Sequence, residues 1–386
     1  MLTERIEFVA ENSAEILENI PATAAVFLLR GEDAQAEPYV SKTANLRRRL
    51  YRLLGPVEER PKRLNLRDRV RTIEFRLTGS DFESGFVLYA ALRQIFPKTY
   101  QDRLRFRFAT FIKLHLENEY PRASVTTRLG RANGKSLYYG PFISRPAAEK
   151  FMNDSLDFFK MRRCVEDLHP DPAFPGCVYS EMKMCLAPCF KGCTDQEYTD
   201  ETSRVRNYFN SGGESLAREI EQQREAASAE LAFENAALMH VQLEKLHPVL
   251  GQIPEIVRRL DQFSALMIQP CHVSGAVVFF VIKAGQIFEP MLFYIQAVEY
   301  AKSQSMESRV QETLDSGTSA KTKSALETTE HIALLRRWYY RKSRIGEIFF
   351  ADANGELPMR RIVRGISRVY RGERPEIKIS TPSANS

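Results

Sequence analysis

The sequence has no segment suited to a membrane. Its N-terminus, Met1-Leu2-Thr3-Glu4-Arg5-Ile6-Glu7-Phe8, shows no basic stretch followed by an apolar one, so no secretory signal is expected. The longest apolar run, Ala276 to Ile282, is far too short to cross a bilayer. A soluble, cytoplasmic protein without a membrane partner is the expectation. Cysteine is sparse, six in 386 residues, and so few in a cytosolic chain do not suggest a disulfide framework. Neither sign of charge dominates: the net charge is +6, with 27% charged and 44% hydrophobic residues, as in an ordinary soluble protein.

What is present is unevenly distributed. Between Arg47 and Arg76 lie Arg47, Arg48, Arg49, Arg52, Arg60, Lys62, Arg63, Arg67, Arg69, Arg71 and Arg76, opposed only by Glu58, Glu59, Asp68 and Glu74. The planar guanidinium fork suits phosphate, so this strip points to nucleic acid. By charge alone it suits a solvated surface equally well. Five of the six cysteines, Cys164, Cys177, Cys185, Cys189 and Cys193, share one short segment, which reads as ligation of a metal or a cluster. That segment is rich in Pro and Gly and poor in apolar residues, so it needs ligands to hold it.

The length allows two or three domains, and the pattern predicts an α+β multidomain chain. Strands are expected at Ala24 to Arg30, Tyr39 to Ser41 and Thr72 to Leu77, with helices at Asn45 to Leu54 and Asp81 to Phe96. Two more strands, Ala109 to Leu116 and Ala123 to Leu129, precede a helix from Ala147 to Lys160. Glu214 to Leu246 reads as a helical hairpin that needs a partner for its apolar stripe. Ala265 to Ile268, Gly275 to Lys283 and Gln286 to Tyr294 read as a meander turning at Ala284-Gly285. Ser303 to Thr322 reads as polar loop or loose helix, Thr328 to Tyr340 as a helix, and Glu347 to Ala351 as a strand. The tail, 380–386, is expected to be disordered.

Three stretches, in order, resemble the bacterial excision-repair subunit UvrC. Ala24-Ala25-Val26-Phe27-Leu28-Leu29-Arg30 and Tyr39-Val40-Ser41-Lys42-Thr43-Ala44-Asn45-Leu46-Arg47-Arg48-Arg49 are similar to the two halves of its GIY-YIG nuclease motif. Cys164, Cys177, Cys185 and Cys189, ending in Cys185-Leu186-Ala187-Pro188-Cys189, follow Tyr120-Pro121-Arg122 and Tyr139-Gly140-Pro141-Phe142 as in that family. Ala226-Ala227 and Glu230-Leu231-Ala232-Phe233-Glu234-Asn235-Ala236-Ala237 look like its UVR motif. The resemblance implies a GIY-YIG-like α/β domain over 1–105, a β-containing cysteine-rich region over 106–200, a UVR helical hairpin over 201–253, and a connecting α/β domain over 254–379.

By resemblance, Tyr39, Lys42 and Arg49 are the catalytic positions that remain. Phe27 stands where the family has a tyrosine, Ala25 and Ser41 where it has glycines, and Leu88 where it has the metal-binding glutamate. Leucine offers no oxygen to a hard cation, and Glu83 lies about 140° away around an ideal helix. An inactive nuclease site is therefore expected, with Mg²⁺ bound only were it active. Arg47, Arg48, Arg49 and Arg52 are expected to grip DNA. The tetrad is expected to hold a [4Fe–4S] cluster by resemblance, although four thiolates equally suit zinc and Cys193 leaves the fourth ligand open. Phe233, Ala236 and Ala237 are expected to meet UvrB, or else to pack within the chain. Neither an acidic triad nor a G-x-G hairpin occurs between residues 262 and 365, so the second, C-terminal nuclease of UvrC is expected to be absent. The reading is a DNA-binding excision-repair protein; the alternatives are an active single-incision nuclease and an interaction scaffold.

Overall fold

The computed structural model describes residues 2–33, 35–56, 64–130, 135–296, 304–316 and 324–373. Three antiparallel sheets follow one another along the chain, each dressed with helices, which makes this a mixed α and β protein. The first contains β1 (Glu4–Glu7), α1 (Ser13–Asn19), β2 (Ala25–Gly31), β3 (Tyr39–Thr43), α2 (Leu46–Leu54), β4 (Val70–Leu77), α3 (Asp81–Ile95) and α4 (Tyr100–Leu104), with sheet order β1-β4-β2-β3. Asn45 begins α2 by accepting the amide of Arg48 at 2.9 Å, satisfying a donor the helix cannot. Leu46, Leu50, Leu53 and Leu54 then bury against Phe27, Leu29, Ile73 and Phe75. Pattern reading does not find β1, because Glu4-Arg5-Ile6-Glu7 is polar and is held by backbone pairing to β4.

The second unit has β5 (Thr110–His115), β6 (Arg122–Thr126), β7 (Leu137–Phe142), α5 (Arg145–Leu156), α6 (Val178–Glu181), α7 (Asp195–Asn210), α8 (Glu214–Ala229), α9 (Phe233–Leu250) and β8 (Arg258–Arg259), with order β6-β5-β7-β8. The motif Tyr139-Gly140-Pro141-Phe142 lies in β7, where a Cβ on Gly140 would meet the Phe111 ring at 2.8 Å and the Thr110 carbonyl at 3.0 Å. One core runs from Ile112, Leu114 and Tyr139 through Phe151 and Tyr208 to Leu216, Ile220, Leu243 and Leu246. The base of the α8–α9 hairpin is thus core to its own chain.

The third unit has β9 (Ala265–Pro270), β10 (Ala276–Lys283), β11 (Gln286–Ile287), β12 (Met291–Tyr294), α10 (Met306–Ser316), α11 (Ala325–Tyr339), β13 (Glu347–Phe350) and α12 (Met359–Tyr370). Its sheet runs β11-β10-β9-β13, with β12 also on β10. α11 covers one face through Ile332, Leu335 and Trp338; α10 and α12 cover the other through Val310, Leu314, Ile362 and Ile366. Burial on both faces explains the unbroken apolar run of β10. The expected strand Gln286 to Tyr294 is two strands, separated around Pro290, which has no amide for a ladder. Of Ser303 to Thr322, Met306–Ser316 is a regular helix; Ser303, 317–322 and the tail 380–386 lie outside the described residues.

The cores cross the expected divisions. Phe82 and Phe86 of α3 pack with Phe280 and Trp338 of the third unit, and Arg93 pairs with Glu327 at 2.7 Å. Helix α3 therefore belongs to two units at once.

Candidate functional site

In the first unit, β3 and α2 bring Tyr39 and Arg49 together: an Arg49 Nη donates to the Tyr39 hydroxyl at 2.7 Å. Phe27 is fully buried with its ring 6.0 Å from Tyr39, so it packs there without a hydroxyl to offer. Lys42 Nζ stands 2.5 Å from Asp81 Oδ1, and the other Asp81 oxygen pairs with Arg341 beyond α11. Burial alone would raise the Asp81 carboxyl, but the bond and charge of Lys42, then those of Arg341, outweigh it and hold it below its usual range. Glu83 is only 3% exposed and accepts the Gly79 amide at 2.8 Å, closing the turn before α3. Arg76 acts on its charge, and that charge in turn adds to the burial that raises the Cys271 thiol. Leu88 and Lys42 line one cleft.

The basic strip is not one surface. Arg47 donates to the Ile20 carbonyl at 2.6 Å, Arg67 to Ala10 at 2.6 Å, and Arg71 to Asp68 at 3.0 Å. These arginines close loops. Arg48 and Arg52 are exposed, and Arg49 and Arg52 line a recess of about 330 Å³ with Leu53 and Leu64. Arg60, Lys62 and Arg63 lie outside the described residues.

The cysteines are all free thiols. Cys185 is pushed up to about 11, chiefly by burial and further by the charges of Cys164, Cys189 and Cys177. Burial raises Cys189 too, with Cys177 and Cys164 adding to it. Cys193 stands apart: burial is followed by Glu197, Asp195 and only Cys189. Among the described residues, no three His, Cys, Asp or Glu side chains converge to hold a metal ion. Arg162, 2% exposed, donates toward Cys164 Sγ at 3.5 Å, to Glu166 O at 2.9 Å and to Tyr120 O at 2.9 Å. Cys271, just past the end of β9, packs against the third unit's core.

At the hairpin tip, Phe233 is 66% and Leu231 71% exposed, with Leu238 and Val241 also open to solvent. Ala237 is exposed and Ala236 half-buried. Sequence reasoning missed the other wall of the Lys42 cleft, which α11 and the 104–107 segment supply. No local signal could have found it, because the lining comes together only through packing between units.

Comparison with known proteins gives the class. Residues 110–208 match the middle domain of UvrC/Cho excinucleases. Over 279 residues the chain is 26% identical to the UvrABC system protein C of Carboxydothermus hydrogenoformans, covering 71% of this chain and 44% of that protein. It is likewise 26% identical over 272 residues to that of Methanothermobacter thermautotrophicus, covering 70% and 45%. The chain is thus UvrC-like, and it spans less than half the length of these curated relatives. No solved structure matches it significantly.

Proposed function

We propose that this protein serves nucleotide excision repair by binding DNA and UvrB, with a GIY-YIG-type first unit that grips the phosphate backbone without cutting it. One observation carries the reading: Leu88 lines the cleft that Lys42 lines, no acid lines it, and Asp81 is held by Lys42 and Arg341. Phosphodiester hydrolysis needs an activated water and usually a divalent ion. Leu88 offers such an ion nothing, and Glu83 is committed to the Gly79 turn. The Tyr39–Arg49 pair, with Arg48 and Arg52 on the same helix as Arg49, remains able to hold a phosphate.

The second unit's four thiols, Cys164, Cys177, Cys185 and Cys189, are assigned to a [4Fe–4S] cluster in preference to zinc. An all-thiol donor set suits both. The preference for the cluster comes from the resemblance of the Cys185-Leu186-Ala187-Pro188-Cys189 ending and the tetrad spacing. The buried Arg162 guanidinium bonds two backbone carbonyls and Cys164 Sγ and forms no ion pair among the described residues, so its charge favours an anionic group beside Cys164. When bound, the cluster would supply the cross-links that this apolar-poor segment lacks. Phe233, Ala236 and Ala237 at the hairpin tip would dock on UvrB.

The test is incision of a lesion-bearing duplex with UvrA, UvrB, ATP and Mg²⁺. No cut above background is expected. A cut that Arg49→Ala abolishes would overturn the inactive-site reading and favour a single-incision nuclease.

A further inference from the structure

The cleft between α3, the 104–107 segment and α11 has a volume of about 510 Å³ and is separate from the recess lined by Arg49 and Arg52. Every side chain lining it that carries charge is cationic: Lys42, Arg105, Arg107, Arg336 and Arg337. Lys42 has its acid in Asp81. Arg336 donates to the carbonyls of Phe142 and Ile143 at 3.0 and 2.5 Å, which fixes its guanidinium without neutralising it. Arg105, Arg107 and Arg337 are exposed and form no ion pair among the described residues. Burial, then the charge of Arg107, acts against the Arg336 cation, with Tyr340 partly offsetting them. The cleft therefore concentrates positive charge that an anion would relieve.

Its floor is of another kind. Leu88, Ala333 and Leu334 are apolar, Phe106 and Tyr340 add rings, and Gly85 leaves a gap. A Cβ on Gly85 would meet nothing within 4 Å. A glycine inside a helix costs about 1 kcal/mol relative to alanine, so this position keeps space at the expense of helix stability. Cationic walls over a flat apolar floor match a ligand that is anionic at one end and planar at the other. A volume of this size suits one small molecule or one nucleotide.

We propose that this cleft binds a nucleotide, its phosphate against Arg107, Arg336 and Arg337 and its base over Leu88 and Leu334. The inference rests on the DNA-binding reading and deepens it by naming a subsite for one unpaired nucleotide; the cleft shares Lys42 and Leu88 with the first unit's site, while α2 and Tyr39 do not line it.

Binding is measured by fluorescence anisotropy on the full chain with a labelled oligothymidylate strand, with thymidine monophosphate as competitor and a labelled duplex in parallel. Gly85→Trp fills the cleft and leaves its charges, while Arg107→Glu with Arg337→Glu reverses charge on exposed side chains and leaves the floor. Each is expected to weaken strand binding by about tenfold or more, the scale of losing one stacked base or its phosphate contacts. Competition by thymidine monophosphate identifies the free nucleotide as sufficient. Strand binding without such competition assigns the site to a nucleotide within a strand. Should the wild type bind neither, or both variants bind as the wild type does, the proposal is overturned. A wild type that binds the strand but not the duplex, with strand binding lost in both variants, supports the cleft and counts against α2 as a duplex grip.

Discussion

Glu83 shows what becomes of a carboxylate near a site it does not serve. Its side chain closes the Gly79 turn while its amide bonds Ser80 Oγ at 3.0 Å, so both its polar ends serve the start of α3. Burial raises its carboxyl above 4.5, and the Gly79 bond and Arg76 only partly oppose this. Raised in the folded state, it contributes stability that is fully present below its ordinary value and lost as pH climbs through the raised one. Glu83→Gln keeps the acceptor for Gly79 and cannot ionise. Its melting temperature relative to the wild type should therefore rise between about pH 4 and pH 7. A difference independent of pH in thermal melts would show that this burial has no electrostatic consequence.

Among elements, the α8–α9 hairpin divides into two halves with different work. Leu246 is fully buried in the second unit's core, so Leu246→Ala should cost about 2–5 kcal/mol of stability. Phe233, at the tip, should change stability by less than about 0.5 kcal/mol when cut to alanine. Phe233→Ala should instead weaken UvrB binding in a titration, and unchanged affinity would leave the tip without its proposed partner. The cysteine segment behaves differently again, with short helices and little core. Protein purified without oxygen should absorb broadly in the visible, bleach with a strong reductant, and lose both the colour and the local fold on Cys185→Ser. A colourless preparation carrying zinc would decide for the single ion instead.

At the scale of the molecule, α3 is where the units meet. Glu330 of α11 is fully buried and accepts from Tyr89 at 2.7 Å, Tyr100 at 2.5 Å and Gln101 at 2.6 Å, all from the first unit. A buried carboxylate survives only when its lone pairs are filled, and here the donors come from more than two hundred residues away. The same contact sets Arg341 on Asp81 and Arg336 and Arg337 opposite Leu88. The third unit thus shapes the surroundings of a site whose named residues all lie in the first.

The amino-acid sequence by itself determined the local elements with strong period: α2 from its leucine spacing and Asn45, β2 and β10 from their apolar runs, α3 from its cap and its end near Pro97. It also placed five of the six cysteines in one short segment. It could not place Arg47, whose Nε is tied to the Ile20 carbonyl while its side chain stays exposed, nor reveal that half the hairpin is core. Pairing between distant segments decided those, and it decided the cleft as well. Charges from residues 42, 105, 107, 336 and 337 share a site only because Phe82 and Phe86 bury in another unit's core, and no window of sequence contains that contact.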